Sequence, residues 1–107
     1  MAYRVDLTER AARNLGRIYL AINADDGVQA RAWFNGLEQS VLSLERYPAK
    51  GAPTPEDSEL RHLLYGRKGR RYRIIYAIDE GRHVVTVLHI RHWARGAFMP
   101  DEPDDTE

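Results

Sequence analysis

The chain has 107 residues, 43% of them apolar and 30% charged, with 16 basic and 16 acidic side chains and no cysteine. That length makes one domain, and the missing thiols exclude a disulfide scaffold and a Cys-ligated zinc site. The charges balance only in sum: residues 1–59 carry a balance of −2, residues 60–98 one of +7 and residues 99–107 one of −5. All four histidines, His62, His83, His89 and His92, fall in the basic segment. Such a local field attracts nucleic acid or an acidic protein segment, or simply keeps a strand surface solvated. No apolar run approaches the ~20 residues that span a bilayer, and MAYRVDLTER holds no apolar leader segment, so a soluble cytoplasmic protein is expected.

The elements follow in order. Tyr3-Arg4-Val5-Asp6-Leu7 alternates apolar and polar, which predicts a short strand. Thr8 is a candidate helix N-cap with Glu9 in the first turn, and Ala12, Leu15, Ile18/Tyr19 and Ile22 recur at helical spacing for about four turns. Asp25 or Asp26 is expected to cap a second helix, whose stripe is Ala30, Trp33/Phe34, Leu37, Val41 and Leu44. This stripe reads as core rather than ligand cage. Pro48 is expected to end that helix. Ala49 to Glu59, with Gly51, Pro53 and Pro55, reads as an exposed connector.

The second half predicts sheet. Leu60 to Tyr65 is a strand, followed by the basic turn Gly66-Arg67-Lys68-Gly69-Arg70-Arg71. Tyr72 to Ile78 (YRIIYAI) is the strongest strand, and Asp79-Glu80-Gly81-Arg82 turns it into His83 to Arg91. His92 to Phe98 is expected to form a short helical turn, and the acidic segment 99–107 a frayed tail. The order β-α-α-β-β-β predicts an α+β fold in one domain, residues 1–98, with a helical hairpin packed on a curved, mainly antiparallel sheet.

That order, Leu60-Arg61, Gly69-x-x-Tyr72-Arg73-Ile74-Ile75-Tyr76 and Val87-Leu88-His89-Ile90-Arg91-His92 together resemble the RelE/ParE toxin superfamily of type II toxin–antitoxin systems, which includes plasmid-stabilisation proteins. The resemblance runs through residues 3–98. It implies growth inhibition, relieved by a cognate antitoxin that forms a hetero-oligomer with the toxin. It also implies one of two targets. Members resembling ParE poison DNA gyrase without chemistry of their own; members resembling RelE are metal-free ribonucleases that cut messenger RNA in the ribosome.

Cleavage through a 2′-hydroxyl needs a base, a cation for the phosphate and an acid. The resemblance places a phosphate-binding arginine at Arg73. By alternation Arg73 stands opposite the Tyr72, Ile74, Tyr76 and Ile78 face, so it is expected on the open side of the sheet. His92 is the remaining proton-transfer candidate and Arg95 a second cation, because no tyrosine follows Tyr76 and Phe98 lacks a hydroxyl. Arg61, Arg91 and His89 are expected to line a binding surface. His89 shares the parity of Val85, Val87 and Arg91. The thinned basic cluster tilts the expectation toward the gyrase-type reading, with mRNA cleavage by Arg73, His92 and Arg95 as the alternative. No cofactor is expected. The histidine spacing suits no metal, and Gly66 to Arg71 lacks the ending of a P-loop.

Overall fold

A computed structural model describes residues 2–95. The chain runs β1 (Arg4–Leu7), α1 (Glu9–Ala21), α2 (Val28–Leu42), two 3-10 turns (Ser43–Glu45 and Pro48–Lys50), β2 (Ala52–Pro53), β3 (Arg61–Tyr65), β4 (Tyr72–Asp79), β5 (Val84–His92) and a last 3-10 turn (Trp93–Arg95). The five strands form one sheet in the order β1-β5-β4-β3-β2. Only β1 against β5 is parallel; the other pairs are antiparallel. This is the expected α+β architecture, with the two-residue edge strand β2 added. No described helix is long and apolar enough to cross a membrane.

Local chemistry accounts for most boundaries. The Thr8 hydroxyl accepts the Ala11 N–H at 3.0 Å and so caps α1. The buried stripe of α1 is Ala11, Asn14 and Ile18, so Ala11 replaces the expected Ala12. The cap of α2 is Gly27, not Asp25 or Asp26, and no side chain bonds there. The α2 stripe is as expected, with Phe34, Leu37 and Val41 buried and Leu44 following. The helix stops at Leu42, before Pro48, and Pro48 instead opens a 3-10 turn, where its missing N–H costs nothing. His83 has φ 55°, so β5 starts one residue later than expected.

Ile74, Tyr76, Val85, Val87 and Ile90 pack with Ala11, Ile18, Phe34, Leu37 and Val41 in one cluster between helices and sheet. Tyr76 is fully buried; its hydroxyl donates to Pro48 O at 2.6 Å and accepts from Gly51 N at 2.9 Å, pinning the chain before β2. Asn14 is buried too, and its side-chain oxygen accepts the Ile90 N–H at 3.1 Å, tying α1 to β5. Gly36 has a steric reason to sit inside α2. A Cβ there would fall 2.2 Å from the Tyr65 hydroxyl, which needs that space to reach Trp33 O at 2.8 Å.

One irregularity sets what the other sheet face carries. Between β4 and β5 the register passes from Ile75↔His89 to Tyr76↔Val87, leaving Leu88 as an extra residue. Val85 and Val87 therefore face the helices, while His89 and Arg91 turn to the opposite face with Ile75 and Arg73. The shared parity of His89 with Val85 and Val87 does not translate into a shared face. On the open side Leu60 and Ile75 form a second, smaller cluster with Ala77 and Leu88.

Candidate functional site

The open face collects the unusual polar groups of the molecule. Arg73 lies on β4 directly across from Arg91 on β5, and His89 opposes Ile75 one step further along. All three are buried, with Arg73 and Arg91 each 4% exposed. His62 joins them from β3, where it pairs with Ile75. The expected exposed Arg73 is thus on the predicted face but covered.

What covers it is the connector between β2 and β3. Thr54 Oγ1 accepts from Asp57 N at 3.0 Å and donates to Asp57 O at 2.7 Å, and Thr54 N and Leu60 N bond to Leu60 O and Asp57 O. This folds residues 54–60 into a tight loop that returns Glu56 over the sheet. Its carboxylate accepts from both Arg73 terminal nitrogens, at 2.9 and 2.8 Å, a bidentate pair. The third Arg73 nitrogen, Nε, donates to His62 Nδ1 at 3.0 Å. That bond assigns the His62 proton to Nε2. Burial holds the His62 imidazole below the ordinary histidine value; the adjacent Arg73 cation adds to this and Glu56 opposes it. A neutral His62 is the form that can accept from Arg73. Pro55, His62, Arg73 and Trp93 border a pocket of about 220 Å³ beside the ion pair.

The remaining candidates lie elsewhere. Arg61 points to the helix side, the face of its partner Tyr76, and donates to Gly51 O at 2.6 Å, bracing the 3-10 turn. His92 pairs with Tyr72, also on the helix side, and its ring meets the Tyr72 ring edge-on at 5.1 Å. His92 Nδ1 accepts from Ala94 N at 3.0 Å and its Nε2 lies 3.2 Å from Gly69 O, so it caps the last turn and holds the β3–β4 hairpin. Arg95 ends that turn. Phe98 and the segment 99–107 lie outside the described residues. The sheet therefore brings together Arg73, Arg91 and His89 with His62, and separates Arg61 and His92 from them. Sequence reasoning missed Glu56. Its only mark was an acid in a connector that also holds Asp57 and Glu59.

Chemically, Arg73 is the engaged member of the cluster. With a carboxylate across its two terminal nitrogens and an imidazole on its Nε, the guanidinium has three of its five N–H donors engaged and its charge already matched by a carboxylate. Among the described residues no group of three or more His, Asp or Glu side chains is placed to hold a metal ion.

Residues 5–96 match the family model for the ParE toxin of the type II toxin–antitoxin system, parDE. No curated protein sequence matches the chain. Among solved structures, the chromosomal ParDE toxin–antitoxin system from P. aeruginosa is 20% identical, with a TM-score of 0.68 over 85% of this chain and 96% of that one. The RelBE2 toxin–antitoxin complex from Mycobacterium tuberculosis is 23% identical, with a TM-score of 0.60 over 86% and 92%. A mutant of the E. coli toxin RelE in the free state is 16% identical, with a TM-score of 0.62 over 90% and 88%. These structures share the fold, and the family match extends over nearly all of the described chain: it belongs to the ParE toxin family of type II toxin–antitoxin systems.

Proposed function

We propose that this toxin inhibits growth in the cytoplasm by binding an essential protein target, DNA gyrase, without cleaving RNA, and that a cognate antitoxin neutralises it by forming a complex with it. The observation that carries the reading is the bidentate Arg73–Glu56 pair. It occupies the cation a nuclease would aim at phosphate, while His92, the candidate proton carrier, stands on the other side of the sheet. The ParDE and RelBE2 structures that share this fold are toxin–antitoxin systems, which supports an antitoxin as partner. The test runs two assays on the purified chain. Inhibition of supercoiling by purified gyrase, with no cut messenger RNA on translating ribosomes, is the expected result. Ribosome-dependent cleavage that Arg73→Ala abolishes would overturn it.

A further inference from the structure

A second polar feature lies away from the Arg73 cluster, at the β3–β4 hairpin. Gly66 and Gly69 both have positive φ, 101° and 88°, and Arg67 O accepts the Arg70 N–H at 2.8 Å. A Cβ on Gly66 would meet Arg70 O at 2.0 Å, so only glycine lets the strands approach there. Glycine at the third position of the Arg67–Arg70 turn supplies the positive φ that a type II turn requires. The turn thereby displays Arg67, Lys68 and Arg70, all exposed. Among the described residues no carboxylate pairs with any of the three.

These cations rim a groove of about 770 Å³ whose wall is aromatic, made by Trp33 of α2 and Tyr65 of β3. The wall is fixed in place. Tyr65 is seated over Gly36 and bonded to Trp33 O, and the Trp33 ring meets Tyr65 and Tyr72 edge-on at 5.1 and 5.7 Å. His92 holds the turn from behind through Gly69 O.

We propose that this groove binds a single-stranded nucleic acid segment, with a base against the Trp33–Tyr65 wall and neighbouring phosphates on Arg67, Lys68 and Arg70. Flat π-faces beside unpaired cations at the spacing of one turn suit a ligand that carries both rings and phosphates. An acidic peptide without aromatic side chains would use the charges and leave the wall idle. The site is independent of the gyrase reading, since it concerns binding alone.

The test uses the purified full chain with a Trp93→Phe substitution, so that emission reports on Trp33. Fluorescein-labelled oligo-dT and oligo-rU of roughly twelve nucleotides are titrated by anisotropy from about 50 to 200 mM salt. Binding is expected with quenching of Trp33, and log K should fall with log salt at a slope of about −2, near −0.7 for each of three phosphates. The exposed triple substitution Arg67→Gln, Lys68→Gln, Arg70→Gln, checked for fold by circular dichroism, should abolish most of that slope. Binding of either oligomer in this manner supports the site, and a preference between them identifies the sugar. Three outcomes would overturn it: no binding at the lowest salt, binding that the triple substitution leaves unchanged, or equal binding of an oligoglutamate with Trp33 emission unaltered.

Discussion

Replacing Glu56 with glutamine keeps the shape of the side chain and removes its charge. Arg73 and Glu56 have side-chain exposures of only 5% and 13%, so water screens little of their attraction. Arg91 stands directly across from Arg73, which places a second cation near the guanidinium that Glu56 offsets. Breaking a buried pair by removing one partner costs about 3–5 kcal/mol. Because glutamine retains one acceptor, we expect about 3 kcal/mol for Glu56→Gln. In urea, a domain of this size loses about 1.5 kcal/mol of stability per molar, so the midpoint should fall by about 2 M. The internal control is Asp6→Asn, which breaks the Arg4–Asp6 pair at 71% and 44% exposure. That pair contributes at most about 0.5 kcal/mol and its loss should move the midpoint by about 0.3 M or less. Adding Arg73→Met to Glu56→Gln removes the stranded cation and should restore most of the loss. Urea unfolding followed by circular dichroism reads all four proteins. A midpoint for Glu56→Gln no lower than that of Asp6→Asn, or a double substitution no more stable than Glu56→Gln alone, would refute the claim that Glu56 holds the open face closed.

Two further outcomes follow from the geometry. His62 has its folded pKa below the ordinary value, so the unfolded chain binds its proton first as pH falls. The stability His62 supports is therefore present above about pH 6.5 and declines as pH drops toward the lowered folded pKa. Unfolding free energies measured across that window should rise with pH, and His62→Gln should flatten the rise. Gly36→Ala should destabilise by about 1–3 kcal/mol although alanine is the better helix former, because its Cβ collides with the Tyr65 hydroxyl. Thermal melts of Gly36→Ala with Tyr65→Phe should recover most of that loss, and no recovery would place the strain elsewhere.

The elements with strong periodicity were legible in the sequence. The apolar stripe of α2 and the Tyr72, Ile74, Tyr76, Ile78 face of β4 both pack as their spacing predicts, since repeated burial on one side leaves a repeated pattern. What stayed hidden depends on single residues or distant partners. The extra residue Leu88 shifts the phase of β5 halfway along, so a parity count carried through it assigns His89 to the wrong company. β2 spans two residues, too few for any period. Glu56 acquires its role only when the loop closed by Thr54 and Asp57 brings it to a strand 17 positions away. Arg61 and His92 were visible as polar side chains, but their partners are backbone atoms of turns, which no side-chain pattern encodes.

The parallel pairing of β1 with β5 also governs the order in which this molecule can assemble. Arg4 to Leu7 find their partners in Val84 to Val87, and the Thr8 hydroxyl reaches Leu88 O across 80 positions of chain. The strand that leaves the ribosome first must wait for the strand made last among the five. At about 5–20 residues per second of synthesis, that wait is several seconds, during which β1 has no ladder to join. Pairings so remote in sequence close a long loop and are slow to form. A newly made chain thus holds β1 without its ladder partner until the fifth strand is complete, so the edge of the sheet is the last part of the fold that can close.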